Sequence, residues 1–145
     1  MVRLEEQRSL GLDVGERRIG VALSDASGRL ASALTTIKAY PQEHALAQIA
    51  RLVVEHGIYE VVVGLPLTLR GEIGPQAEVV QRFAEALGQQ VALPIHLFDE
   101  RLTTAAAAQL LRDMGVKPEK RRQQIDQVAA AIILQDFLDQ RRGRE

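Results

Sequence analysis

A chain of 145 residues can bury a sizeable core without disulfides or a structural metal, and it is expected to form a single domain over residues 1–145. The absence of cysteine excludes a disulfide framework and a thiolate metal site, and it suits a reducing cytoplasm. Met1 to Gln7 lacks the apolar core of a signal peptide, and no apolar run approaches the roughly 20 residues of a spanning helix, so a cytoplasmic protein without a membrane partner is expected. A formal net charge of −1 gives no global attraction to a polyanion, so any such partner must be held by local basic patches.

In chain order, Ser9 to Asp13 and Ile19 to Ser24 read as strands joined by a turn, and Asp25-Ala26-Ser27-Gly28 turns into a third strand, Arg29 to Ile37. After Pro41, Leu46, Ile49, Ala50, Val53 and Val54 share one face of a helix that ends at Gly57. Tyr59 to Val63 reads as a strand covered on both faces, stopped by Gly64-Leu65-Pro66. A loop leads to an amphipathic helix, Pro75 to Leu87, capped by Gly88. Ile95 to Phe98 is a short last strand, and Asp99-Glu100-Arg101 leads into a helix from about Thr103 to Met114. Gly115 to Arg122 reads as a basic loop before a final helix with Ile125, Val128, Ala129, Ile132, Ile133 and Phe137 on its buried stripe. The order β-β-β-α-β-α-β-α-α predicts an α/β mixed sheet with helices on both faces.

In such sheets function gathers where strands end. Asp13 ends the first strand, Asp99 and Glu100 follow the last, and Asp126 lies near the start of the final helix, at the edge of the stripe of Ala130, Ile133 and Phe137. Each acid alone has an ordinary explanation. Asp13 can accept backbone hydrogen bonds in a turn. Asp126 can complement a helix dipole, worth about 0.3–1 kcal/mol. Asp99 or Glu100 can pair with Arg101, worth about 0–1 kcal/mol. Gathered in one cleft, however, carboxylates repel, and the hard cations Mg²⁺ or Mn²⁺ relieve that repulsion through oxygen ligands.

Basic residues cluster at Arg17 and Arg18, at Lys117, Lys120, Arg121 and Arg122, and at Arg141, Arg142 and Arg144; the last group reads as solvated surface charge. His44, His56 and His96 have no metal-ligand spacing. With 3% aromatic residues the chain lacks the composition of a base-stacking platform, so recognition is expected to rest on backbone shape and charge.

The stretches GLDVGERRIGVALSD, VVVGLPLTLRGE, FDERLTTAAA and IDQVAAAIILQDFLD resemble, in order and spacing, the four blocks of the YqgF family, also called RuvX. They span Gly11 to Asp139. The resemblance implies a ribonuclease H-like fold similar to RuvC: a five-stranded mixed sheet, with a three-strand antiparallel meander plus two parallel strands. It also implies a nuclease that either resolves Holliday junctions or matures the 5′ end of pre-16S ribosomal RNA.

The family's acidic positions fall on Asp13, Glu100 and Asp126, as catalytic residues and as ligands of one or two Mg²⁺ or Mn²⁺ ions. Strand alternation favours Glu100 over its neighbour Asp99. RuvC-type sites usually carry four acids, and no fourth is identified in this sequence. Two ions roughly 3.5–4 Å apart can activate water and stabilise the leaving oxygen, with Asp13 bridging them. Arg17, Arg18, Arg101, Lys117, Lys120, Arg121 and Arg122 would hold flanking phosphates, while Gly15 and Gly20 would let the phosphate backbone approach.

The implied partner is nucleic acid, bound by a monomer or homodimer. Two other classes stay open. One is a non-catalytic ribosome-assembly or nucleic-acid-binding factor with this fold. The other is an actin-like ATPase fragment, suggested by Asp13-x-Gly15 and disfavoured because those enzymes close two such domains over a nucleotide.

Overall fold

The computed structural model describes residues 7–100 and 103–143. The elements are β1 (Arg8–Val14), β2 (Arg18–Ser24), β3 (Ala31–Lys38), α1 (Gln42–Glu55), β4 (Ile58–Pro66), α2 (Pro75–Gln90), β5 (Ile95–Glu100), α3 (Thr103–Asp113) and α4 (Pro118–Gly143). The five strands form one sheet in the order β3-β2-β1-β4-β5, with the β1–β2 and β2–β3 pairs antiparallel and the β1–β4 and β4–β5 pairs parallel. This is the mixed sheet the sequence predicts.

The turns have local causes. Gly15 N–H donates to the Arg18 carbonyl at 2.9 Å and closes the β1–β2 turn, where a Cβ on Gly15 would stand 2.8 Å from that same oxygen. The β2–β3 turn is organised by the Asp25 carboxylate, which accepts hydrogen bonds from Ser27 Oγ and from the backbone of Arg29 and Leu30.

Strand alternation sorts the core into two clusters. On one face, Leu10, Leu12, Val14, Ile19, Val21, Val61 and Val63 pack with α1 and α2 through Leu46, Ile49, Val80, Phe83 and Leu87. Because this larger cluster anchors the sheet, at about 1.5–3 kcal/mol for each large side chain buried, the other face is free to hold polar groups. That second face lies under α4, where Ala22, Val62, Ala130, Ile133, Leu134 and Leu138 form a smaller cluster. Here glycines set the helix height. A Cβ on Gly11 would lie 2.8 Å from Leu134 Cβ, and one on Gly20 would lie 1.8 Å from the Asp126 carbonyl oxygen.

Several boundaries differ from the sequence reading. Gly64-Leu65-Pro66 does not stop β4 but completes it, paired with Phe98, Asp99 and Glu100, so both acids belong to β5. Gly88 lies inside α2, which runs on to Gln90, and does not cap it. The basic segment Pro118 to Arg122 is the beginning of α4 and not loop, since proline and Glu119 open the helix favourably. On α4 the fully buried side is Ala129, Ala130, Ile133, Leu134 and Leu138, whereas Ile125, Val128, Ile132 and Phe137 are half-buried.

Candidate active site

The close approach at Gly20 builds the site. Asp13 pairs with Gly20 across β1 and β2, so both project from the face that α4 covers. Lacking a side chain, Gly20 lets the α4 backbone rest on the sheet at Asp126, which delivers that carboxylate to Asp13. On the other side of β1, Gly64 follows the Leu12–Val63 pair, and its bare Cα leaves room for Glu100: a Cβ there would stand 3.1 Å from the Glu100 carboxyl carbon. Gly20 therefore serves helix packing and does not open the hairpin to phosphate, contrary to the expectation from sequence. Glu100 shares this face with His96 and Phe98, while Asp99 is exposed, as alternation requires.

Burial, then the charges of Glu100 and Asp126, push the Asp13 carboxyl up to about 7. Both carboxylates thus act on Asp13. Asp126 is also held by Arg18, whose Nε donates to Oδ2 at 2.7 Å; the arginine side chain is 51% exposed and the aspartate 17%. Because α4 starts at Pro118, Asp126 lies beyond the first turn, where a dipole effect has faded.

Among the described residues, no three His, Asp or Glu side chains stand close enough together to hold an ion as placed. The donor set nevertheless fits a hard divalent cation: three carboxylates from β1, β5 and α4, with an unfavourable charge balance at Asp13 that a cation reverses. Arg18 would have to release Asp126 for the aspartate to join such a set.

The predicted basic contacts are dispersed. Arg17 and Arg18 are exposed on the hairpin beside Asp13. Lys117 is exposed just before α4, Lys120 is exposed and Arg121 half-buried in its opening turns, and Arg122 follows them on the same helix. Arg101 lies outside the described residues.

At the opposite end of the α4 face is a polar cluster that the sequence reading missed. Glu60 is 3% exposed. Its carboxylate accepts from Arg141 Nη2 at 2.6 and 2.7 Å and from Ser9 Oγ at 2.5 Å, and it lies 3.1 Å from His96 Nε2. Arg141 also donates to the Tyr59 hydroxyl at 2.8 Å and stacks over Phe137, 4.5 Å from its centroid. Arg141 is therefore an internal counter-ion and not merely surface charge. Burial alone would raise the Glu60 carboxyl, but the hydrogen bonds from Arg141 and Ser9 and the Arg141 charge outweigh it and hold the group below the ordinary glutamate value. The available signal was Glu60 itself, a carboxylate inside a strand reading as covered on both faces.

Comparison with protein families matches residues 7–140 to RuvX, described as "Holliday junction resolvase". The chain belongs to the RuvX family. A relative from Chloroflexus aggregans, named "Putative pre-16S rRNA nuclease", is 64% identical over 140 residues, covering 97% of this chain and 99% of that one. A relative from Moorella thermoacetica with the same name is 52% identical over 132 residues, covering 91% and 94% of the two chains. Among solved structures, RuvC of T. thermophilus in complex with a Holliday junction substrate superposes with a TM-score of 0.56 at 16% identity, over 94% of this chain and 96% of that one. The Fowlpox virus resolvase, in complex with Holliday junction DNA, gives 0.52 at 8% identity, over 92% and 98%. At those identities the likeness is one of fold, and it agrees with the ribonuclease H-like sheet of this RuvX chain.

Proposed function

We propose that this RuvX chain is a cytoplasmic, metal-dependent endonuclease that hydrolyses phosphodiester bonds of structured nucleic acid, with precursor 16S rRNA as its substrate. The observation carrying this reading is the Asp13 carboxyl, raised to about 7 by burial and by the facing Glu100 and Asp126. Its charge balance calls for a cation from outside. Bound among these acids, Mg²⁺ or Mn²⁺ supplies Lewis acidity toward the phosphoryl and leaving oxygens and lowers the pKa of the attacking water.

The residues' own contributions follow from their placement. Asp13, on the central strand β1, is the most rigidly placed of the three acids and anchors the site. Glu100 and Asp126 supply oxygen donors from either side. Arg18 exchanges Asp126 for a substrate phosphate, which frees the aspartate as the substrate arrives. Arg17, Arg101, Lys117, Lys120, Arg121 and Arg122 hold phosphates on either side of the cut, so binding weakens steeply with salt.

The rRNA reading is favoured by relatives 64% identical across nearly their full length, whereas the junction-bound structures share 16% identity or less. A four-way junction is the second reading, supported by the family's own description. Offering purified protein a labelled precursor rRNA end and a four-way junction, each with Mg²⁺ or Mn²⁺, tests both. The expected outcome is multiple turnover on the rRNA end, with Asp13→Asn losing a factor on the order of 10²–10³ or more in rate while retaining binding. Cleavage of neither substrate by wild type, or undiminished cleavage by Asp13→Asn, would overturn the proposal.

A further inference from the structure

Across the β1–β2 turn from the acids lies a cavity of about 270 Å³. It belongs to the same end of the sheet: Val14, the residue after Asp13, points into it from the opposite face, and Gly15 of the turn borders it. Val14, Ile19 and Phe83 give it apolar, buried walls, and Tyr40, Gln42 and Arg82 form an exposed polar rim. The volume falls below the roughly 300–1,000 Å³ of pockets for drug-sized ligands, and so suits one flat ring system.

Two features separate Tyr40 from an ordinary surface tyrosine. Its backbone is tied to the hairpin, since the preceding residue, Ala39, donates its N–H to the Arg17 carbonyl at 2.9 Å. The residue is 70% exposed at the mouth of an apolar cavity, and among the described residues neither it nor Gln42 nor Arg82 makes a side-chain hydrogen bond or ion pair. An aromatic ring and a guanidinium each stack on bases, and a glutamine amide offers the paired donor and acceptor that a base edge reads.

We infer that this cavity is a subsite for one unpaired nucleobase, that of a nucleotide next to the scissile phosphate, stacked on Tyr40. The inference rests on the nuclease reading for its placement, because Val14 and Gly15, which line the cavity, directly follow Asp13 in the chain. A base within a duplex cannot enter. The substrate must therefore present a single-stranded or splayed nucleotide at the cut, as a precursor RNA end does. Low aromatic content argues against a platform of many rings, but one placed ring serves one base.

The test uses an RNA hairpin with a single-stranded 5′ extension, and its DNA counterpart, with an abasic nucleotide placed at successive positions. Binding is titrated on the non-cutting Asp13→Asn background, with and without Tyr40→Ala or Tyr40→Phe. One abasic position is expected to weaken binding roughly 5- to 150-fold, the range for loss of one stacked base. Tyr40→Ala should weaken binding of the intact probe similarly, and it should abolish the penalty at that position alone, whereas Tyr40→Phe keeps both. Preference of the RNA over the DNA probe identifies the source of the base. Unchanged thermal unfolding checks that Tyr40→Ala folds.

Independent, additive losses, or no position-specific loss, would overturn the subsite while leaving the nuclease reading to its cleavage assay. Coupling in a protein whose wild type cuts neither probe would uphold the subsite and sink the nuclease reading instead. Failure to bind either probe would overturn both.

Discussion

The α4 face of the sheet carries a carboxylate at each end, Glu60 buried and Asp13 half-buried, and the two are treated oppositely. Glu60 is enclosed by Arg141, Ser9 and His96, and its carboxyl is held below the ordinary value. Asp13 faces two further acids, and its carboxyl is pushed up to about 7. The same helix supplies a neighbour to each, Arg141 near its C-terminal end and Asp126 near its N-terminal end. Where the chain provides its own counter-charge, a buried acid fastens helix to sheet. Where it adds more acid, carboxylates face one another across the sheet, and the proposed function gives their repulsion to a divalent cation to relieve.

Arg141→Met should break this contrast most visibly, by leaving Glu60 buried without its cation. Removing one partner of a buried pair costs about 3–5 kcal/mol, and because Arg141 is partly exposed the loss should fall toward the low end of that range. Chemical denaturation measures it. The sign with pH is distinctive: the depressed Glu60 contributes stability above its ordinary value near 4.5, and this is lost as pH falls through its lower folded value. The gap between wild type and Arg141→Met should therefore narrow in acid. Adding Glu60→Leu to Arg141→Met should restore much of the lost stability; an unchanged deficit would show that Arg141 acts through Phe137 packing instead.

Asp13→Asn probes the other end and should change stability in the opposite direction. The folded chain keeps the Asp13 proton up to about 7, whereas the unfolded chain releases it near 3.8, so rising pH between those values destabilises the native state. The variant is expected to exceed wild type by about 1–3 kcal/mol above pH 7 and to match it below pH 4. Millimolar Mg²⁺ or Mn²⁺ should raise the unfolding temperature of wild type and leave the variant unmoved. Equal stability at pH 8, or an equal response to metal, would show that the acids do not share a site.

The legibility of the two ends differs for a physical reason. Asp13, Glu100 and Asp126 each stand at a strand end or a helix-stripe edge, so topology with alternation suffices to place them together. The compensated end required knowing that Ser9 pairs with Glu60, that His96 stands opposite Val62 two residues further along β4, and that α4 is long enough to reach them with Arg141. Register of that kind is set by packing and not by local pattern. For the same reason Gly20 reads as an opening for a phosphate backbone and Gly64 as a strand stop, although they admit a helix backbone and a carboxylate. The start of α4 at Pro118 was signalled by the proline but masked by the run of basic residues after it.

The smallest expected effect, from Arg18→Ala, sharpens the comparison most finely, because Arg18 is a cationic partner of Asp126 at the acidic end. Its side chain is half-exposed, and such pairs contribute about 0–1 kcal/mol, so folding stability should barely move. Two roles then separate by salt dependence. If Arg18 exchanges Asp126 for a substrate phosphate, its removal lowers the slope of log K against log salt by about 0.7–0.9, the value of one phosphate contact. If it serves only as a resting counter-ion for Asp126, the slope stays unchanged and the freed carboxylate binds divalent ions at lower concentration. In that case the acidic end would resemble the Glu60 end, with a weaker and more exposed arginine in the place Arg141 takes.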